Sequence, residues 1–390
     1  RRRRPPCRAG AIAYRESWLV TDLFSPLTLR GITFPNRIGV SPMCQYCCGP
    51  DGKPTDWHFA HLVSRAQGGA GMVCVEATAV VPEGRIAPGD VGLWEDGQIA
   101  SHARLASAIA AHGAVPGIQI AHAGRKAGRY APWDEGRKPN QWVPLGPSPI
   151  AFDHFDPPRE MTEAEIEGAI AAFAAAARRA ATAGYRYVEI HAAHGYLLHS
   201  FCSPLSNKRT DRWGGSFEGR TRIVVETARA VRAALPEDVV LGVRVSHTDW
   251  VEGGWDTAQT VELSGLLKRE GVDLIDVSSG GLSPQQKIPL GPGYQVPGAE
   301  AVRRGAGIPV AAVGLITEPE QAQAILAEGK ADLILLARAM LRDPYWPLRA
   351  AAALGRMEAL RTPPQYDRGW NTLGKTTIDR TIARPMPPLG

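Results

Sequence analysis

Between Arg37 and Leu354, short runs rich in β-branched and apolar residues alternate with helical stretches, and this alternation limits the fold more than any other feature of the chain. Parallel strands cannot be joined by a tight turn, so a repeating strand-helix pattern places its strands on a parallel sheet with helices as crossovers. The strand candidates are Arg37 to Met43, Met72 to Val80, Val115 to His122, Tyr185 to His191, Val239 to Ser246, Leu274 to Ser279, Pro309 to Gly314 and Asp332 to Ala337. Helical stretches between them include Gln98 to Ala111, Glu163 to Ala183 with Thr162 as N-cap, Glu218 to Ala234, Thr257 to Arg269, Glu318 to Ala327 and Tyr345 to Ala353. A chain of 390 residues could form one large domain or two ordinary ones. Eight strands with interleaved helices and no linker predict a single α/β domain, a (β/α)8 TIM barrel over residues 21–370. Residues 1–20 read as a disordered N-terminal extension or misplaced start, and residues 371–390, rich in Pro, Thr and Arg, as a C-terminal extension.

Charge and cysteine usage exclude several classes. The net charge of +5 comes mostly from Arg1 to Arg4, and without them the balance is nearly neutral, so no nucleic-acid partner is expected. No run of 18 apolar residues exists, and Arg15 and Glu16 interrupt the stretch after the arginines, so neither a membrane span nor a signal peptide is expected. Six cysteines without framework spacing fit a reducing, cytoplasmic setting. Cys44 and Cys47 form a CxxC, but no second ligand pair follows within forty residues, and no metal site is expected.

In such barrels the chemistry gathers where the strands end. The first strand ends in Ser41-Pro42-Met43-Cys44, the second in Glu76-Ala77-Thr78, the third in Gln119 and His122. The fourth ends in His191, His194 and Tyr196, the fifth in Arg244, the seventh in Gly314 and the eighth in Ala337-Arg338. Two imidazoles and a phenol at one strand end can grip a carbonyl oxygen and donate a proton beside it. Neither GxGxxG nor GxxxxGK[ST] is present, so neither a Rossmann dinucleotide site nor a P-loop is written here. Gly314 and Arg338 occupy the places where barrels commonly bind phosphate. With Gln119 and Arg244 across the mouth, the set suits a flat phosphorylated cofactor with a hydrogen-bonding ring.

Several segments together carry a family resemblance: Ser41 to Tyr46, Glu76 to Val80, Gln119 to Lys126, His191 to Leu197, and Ser203 to Asn207 with Arg209-Thr210-Asp211. From about Leu23 to Trp370 the chain resembles the old yellow enzymes, in particular the thermophilic-like bacterial subgroup that includes xenobiotic reductases. The resemblance implies an FMN-dependent, NADPH-oxidising ene-reductase with tightly bound, non-covalent FMN. It places Ser41, Pro42, Met43 and Cys44 around the flavin ring, Ala77 at its polar edge, and Gln119 at its pyrimidine side. Arg244 falls near N1 and C2=O, where a fixed cation stabilises reduced flavin. Gly314, Ala337 and Arg338 hold the phosphate, although the family usually has Gly at the place of Ala337.

For the substrate, the resemblance has His191 and His194 donate hydrogen bonds to the carbonyl oxygen of an activated alkene, so that flavin hydride attacks the β-carbon and Tyr196 protonates the α-carbon. By the same resemblance Cys44 is expected to tune the flavin's reduction potential and Tyr46 to help bind substrate. Cys47 and Cys48 are inert or oxidise with Cys44, inert being favoured. Pro364 to Trp370 resembles the subgroup's C-terminal segment, so the resemblance has Arg368 reach into a neighbouring subunit's site and implies a homodimer or homotetramer. The segment Tyr130 to Ser148, with Trp133, Asp134, Lys138 and Trp142, either shapes substrate preference over the mouth or is a surface insertion. Nicotinamide and alkene sharing one flavin face imply ping-pong kinetics. The alternatives are a flavin reductase of another oxidant, such as a quinone, nitro compound or nitrate ester, and a non-catalytic ligand-binding barrel. A dienoyl-CoA reductase needs an iron–sulfur cysteine set that is missing, and an RNA-modifying reductase needs a basic face or a further domain.

Overall fold

The structure, a computed structural model, describes residues 21–134 and 139–370; the expected terminal extensions and Lys138 lie outside the described residues. Eight parallel strands close into one barrel: β1 (Ile38–Val40), β2 (Met72–Ala79), β3 (Val115–Ala121), β4 (Tyr187–Ala192), β5 (Val240–Ser246), β6 (Leu274–Ser278), β7 (Val310–Ala312) and β8 (Leu333–Leu336). Each pairs with its neighbours in sequence, and β8 closes onto β1 through Ile334 to Leu336 opposite Ile38 to Val40. A helix of eight or more residues follows each strand: α1 (Asp56–Gln67), α2 (Ile99–Ala111), α3 (Glu163–Thr182), α4 (Phe217–Ala234), α5 (Thr257–Arg269), α6 (Val296–Ala306), α7 (Pro319–Ala327) and α8 (Trp346–Ala353). The (β/α)8 expectation holds.

Local chemistry explains where the elements stop. β1 is shorter than the sequence suggests because Pro42 has no N–H to continue the ladder; the last bond runs from the Ser41 amide to the Leu336 carbonyl, 3.0 Å. β7 ends early because Gly314 takes φ +115°, outside strand geometry. Thr162 caps α3 as expected, its hydroxyl accepting from the Glu165 amide at 3.3 Å while the Glu165 carboxylate accepts from the Thr162 amide at 2.9 Å. Helices α1 and α6 were not singled out in the sequence. α6 reads Val-Pro-Gly-Ala-Glu and breaks the helical pattern, yet Pro297 lies in its first turn, where its missing N–H costs nothing.

The barrel interior is stratified. A two-stranded hairpin, Leu27–Leu29 paired with Ile32–Phe34, closes the end where the strands begin. Its Phe34 packs with Met72, Tyr187, Val240, Leu274 and Leu333, edge-on to the Tyr187 ring at 6.3 Å. Truncating the buried Phe34 to Ala is expected to cost about 3–5 kcal/mol. This floor excludes water from one end, so polar chemistry concentrates at the other, where the strands finish.

Candidate active site

Along β4 the alternation of a strand sends Tyr187, Glu189 and His191 to one face, into the barrel. The Tyr187 hydroxyl donates to Glu189 Oε2 at 2.5 Å, and Gln119 Nε2 donates to Glu189 Oε1 at 2.7 Å. Glycine opposite makes room for this: a Cβ on Gly242 would lie 2.2 Å from the Tyr187 hydroxyl oxygen. One step along the barrel wall, His191 stands in register with Arg244, and Arg244 with Asp276. Arg244 Nε is 3.0 Å from Asp276 Oδ2, an ion pair without the alignment of a hydrogen bond, which leaves Arg244 Nε and both Asp276 oxygens buried and without a hydrogen-bond partner. Burial pushes the Glu189 and Asp276 carboxyls up from the usual carboxylate range, and the Arg244 charge pulls both back.

The loop after β4 folds three rings together. The His191 ring stands edge-on to His194 at 5.2 Å and to Tyr196 at 4.9 Å between centroids. Burial first, then the Arg244 charge, hold both imidazoles well below the usual histidine range, so they are neutral at pH 7. His191 Nδ1 accepts from the Ala193 amide at 3.2 Å, which fixes the neutral ring as the Nε2–H tautomer. His194 Nε2 lies 2.7 Å from Ser278 Oγ, and the His194 amide donates to Ser246 Oγ at 3.0 Å. Burial raises the Tyr196 phenol above its ordinary value, so it carries its proton.

The loop's shape is enforced from behind. His194 and Gly195 take φ +59° and +74°. The buried His199 accepts the Gly195 amide at Nδ1, 2.9 Å, and sets Nε2 3.0 Å from Asp249 Oδ1. Asp249 also accepts from the Ser203 hydroxyl at 2.6 Å and the Trp255 amide at 2.7 Å. Asn207 bonds the carbonyls of Phe201 and Trp213, both at 2.8 Å, and Arg209 bonds that of Met161 at 2.6 Å. The Ser203 to Asp211 segment is therefore scaffold for the loop.

Beyond His194 the mouth deepens into a cleft of about 240 Å³, lined by Arg244, Gly314, Ala337, Arg338 and Arg342 among others. Three guanidinium groups in one concavity suit an anionic ligand, and a phosphate best, since it accepts their paired donors. Ser41 Oγ is buried with no hydrogen-bond partner among the described residues. Cys44, Cys47 and Cys48 are free thiols, and Cys47 Sγ lies 3.7 Å from His58 Nε2. Tyr46, at φ +53°, meets Trp133 edge-on at 5.8 Å.

Residues 22–356 match the model of the NADH:flavin oxidoreductase / NADH oxidase family. The chain belongs to this family, the old yellow enzymes. It is 48% identical to NADPH dehydrogenase of Geobacillus thermodenitrificans over 353 residues, covering 90% of this chain and 99% of the relative. Among solved structures it resembles morphinone reductase, with a TM-score of 0.72 and 27% identity over 90% of this chain and 93% of that one. It also resembles 2-naphthoyl-CoA reductase, with a TM-score of 0.78 and 29% identity, covering 87% of this chain and 53% of that one.

As an old yellow enzyme the chain is a flavin oxidoreductase, and its fold gathers His191, His194, Tyr196, Arg244, Gly314, Ala337 and Arg338 at one mouth. Ala77, beside a register shift in β2, and Gln119 pair with each other two residues before the ends of β2 and β3. Arg368 is exposed on the short helix Asp367–Trp370, whose Trp370 ring lies 6.2 Å from Tyr345, and it is not among the residues lining the cleft of its own chain. Sequence reasoning passed over Glu189, Asp276, Lys126 and Asp90. Glu189 was findable, two residues before His191 on the same strand face. Lys126 donates to the His194 carbonyl at 2.9 Å and to that of Gly281, and burial brings its ammonium down to about 7. Asp90, on a loop 46 positions past the Cys44 motif in sequence order, carried no pattern that marked it.

Proposed function

We propose that this old yellow enzyme is an FMN-dependent NADPH dehydrogenase that reduces the C=C bond of activated alkenes such as α,β-unsaturated carbonyls. The observation that carries the reading is the convergence of two neutral imidazoles and a protonated phenol, centroids 5.2 and 4.9 Å apart, beside a cationic cleft. The residues fit FMN. Arg338 would hold its phosphate together with the backbone of Gly314 and Ala337, and Arg244 its pyrimidine side together with Gln119. The buried Ser41 Oγ, without a partner among the described residues, would be satisfied at the ring. Pro42, Met43, Cys44 and the Ala77 backbone would border the flavin. Bound FMN supplies the hydride and holds the electron pair between half-reactions.

The chain's own residues do the rest. His191 offers its Nε2–H to the substrate oxygen, since Nδ1 is occupied. His194 presents Nδ1, because Nε2 meets Ser278. Both rings are neutral, so they polarise the carbonyl by directed hydrogen bonds instead of giving up a proton. Tyr196 keeps its proton until the α-carbon needs it. Cys44, held as a neutral thiol foremost by burial and by the nearby Glu76 charge, would adjust the flavin potential. Tyr46 closes the substrate side. NADPH and the alkene occupy the same mouth in turn, giving ping-pong kinetics. Arg368 reaches the mouth of a neighbouring subunit in a homodimer or homotetramer. Among the described residues no helix is long and apolar enough to cross a membrane; the free thiols support a cytoplasmic setting for an enzyme acting on small molecules.

An absorption spectrum, anaerobic NADPH titration and then addition of 2-cyclohexen-1-one tests the reading. Flavin bands that bleach with NADPH and return with the enone support it. A protein that takes up no FMN, or a bleached one that ignores the enone, overturns it.

A further inference from the structure

We infer that Asp90 is the proton reservoir for Tyr196, handing on its carboxyl proton through one water held in a small cavity between them. This inference rests on the ene-reductase reading, because only a Tyr196 that gives its proton to carbon needs to be recharged.

A cavity of about 10 Å³ lies behind Tyr196, at the ends of β2 and β3. That is close to the smallest space that holds a single water. Its walls are Ala77, Ala79, Ala121, Ala123, Gly84 and Ile86, and among the described residues the side chains with polar atoms that reach it are Asp90 and Tyr196. A water there would meet a carboxyl and a phenol and little else.

Asp90 is built for this position. It is 1% exposed. Its Oδ2 accepts from the Ile86 amide at 2.6 Å and the Ala87 amide at 3.3 Å, which fixes the side chain in the Glu83 to Asp90 turn. Its Oδ1 is buried with no hydrogen-bond partner among the described residues. A buried carboxyl oxygen without a partner is costly, whether as acceptor or as an O–H that cannot donate. A water in the adjoining cavity removes that cost and connects it to the phenol.

The charges around Asp90 favour a held proton. Glu76 on β2 faces it as a like charge, and the neutral thiols of Cys44 and Cys48 and the phenols of Tyr46 and Tyr196 lie near it; among the described residues Arg85, on its own turn, is the cation acting on it. Burial foremost brings the Asp90 carboxyl up to about 8. The acid is therefore protonated at neutral pH, and it is a far stronger acid than the Tyr196 phenol, so transfer toward a phenolate runs downhill.

The step balances. The Tyr196 O–H bond breaks as a C–H bond forms at the substrate α-carbon, leaving a phenolate. The Asp90 O–H proton passes to the water while another proton of that water passes to the phenolate. Asp90 is left as a carboxylate, held by the Ile86 and Ala87 amides and the Arg85 charge, and recovers a proton from solvent. No electrons move in these transfers, and no co-reactant beyond water is needed. Asp90 touches neither substrate nor flavin; it acts through Tyr196.

The test separates half-reactions in the FMN-loaded enzyme by stopped flow. Reduction by NADPH and reoxidation by ferricyanide, which needs no proton from Tyr196, are the references for Asp90→Asn. Reoxidation by 2-cyclohexen-1-one is expected to slow by about tenfold or more, toward the lower end of what a positioned proton donor contributes. In the native enzyme that rate declines as pH rises through about 8, where Asp90 loses its proton, and the decline disappears in D90N. Ala79→Val fills the cavity without touching the carboxyl and is expected to slow the same step; it carries the test if D90N does not fold. Enone reoxidation at the native rate in D90N, or in A79V where D90N is unfolded, overturns the relay alone. A native enzyme reoxidised by ferricyanide but not by the enone overturns the ene-reductase reading, and the relay with it.

Discussion

Gly195 and Gly281 lie back to back: a Cβ on Gly195 would sit 2.4 Å from the Gly281 carbonyl oxygen, and a Cβ on Gly281 would sit 2.6 Å from the His194 Cα. Both residues take positive φ, +74° and +83°. The loop after β4 can turn His194 and Tyr196 into the mouth only because the loop after β6 presses on it with no side chain between them. Gly195→Ala therefore forces the two loops apart. It is expected to lower stability by roughly 1–3 kcal/mol, the usual cost of overpacking, and to cut enone turnover by displacing both neighbours. Thermal unfolding and steady-state kinetics check this, and unchanged turnover would show that the close contact does not position the rings.

Tyr196→Phe removes one hydroxyl and keeps the ring against His191. Loss of a general acid slows a step by about 10²–10⁴-fold. The enone half-reaction should fall within that range while NADPH still bleaches the flavin at the native rate. Equal losses in both half-reactions would point to misfolding or lost cofactor instead of lost proton transfer.

Arg244→Met leaves Glu189 and Asp276 buried without their cation. Removing one partner of a buried charge cluster costs about 3–5 kcal/mol, and FMN content is expected to fall with it. Both carboxyls already titrate above the ordinary range through burial, and losing Arg244 raises them further. A raised carboxyl binds its proton more tightly folded than unfolded, so its contribution is present at acid pH and lost as pH rises through the folded value. The deficit of the variant is thus smaller near pH 5 than near pH 8, as denaturant titrations at the two pH values would show; a deficit independent of pH would remove the carboxylates from the explanation.

Trp133 meets Tyr46 edge-on at 5.8 Å and is 73% exposed, so it packs on Tyr46 without supporting the core. An aromatic pair contributes about 0.5–1.5 kcal/mol. Trp133→Ala is expected to leave the melting temperature within a degree or two and to change KM for a bulky enone relative to 2-cyclohexen-1-one by up to about tenfold, the same energy expressed as a ratio. Identical KM ratios in both proteins would make the segment Tyr130 to Ser148 a surface insertion.

The second half of that segment is fastened down: Trp142 Nε1 donates to the Glu83 carbonyl at 2.9 Å, and the Arg85 guanidinium lies 5.2 Å from the Trp94 ring and 5.3 Å from the Trp142 ring. Nothing in the sequence linked Glu83 to Trp142, because the contact joins loops after different strands. Thr162 shows the opposite case. Its cap is local, three residues from Glu165, and was legible at once.

By itself the sequence determined what period and local chemistry can carry. The strand-helix alternation fixed eight strands, the Thr162 cap fixed the start of α3, and position at strand ends placed His191, His194, Arg244, Gly314 and Arg338 at a common mouth. Only the tertiary structure decided which groups share a proton, a charge or a cavity. Glu189 became part of a buried cluster when Gly242 across the wall left space for the Tyr187 hydroxyl, and Asp90 met Tyr196 when the ends of β2, β3 and β4 closed around one small void. The physical reason is that hydrogen bonding and burial depend on distances between segments far apart in the chain, and barrel closure sets those distances, whereas periodicity reports only which face of its own element a residue occupies.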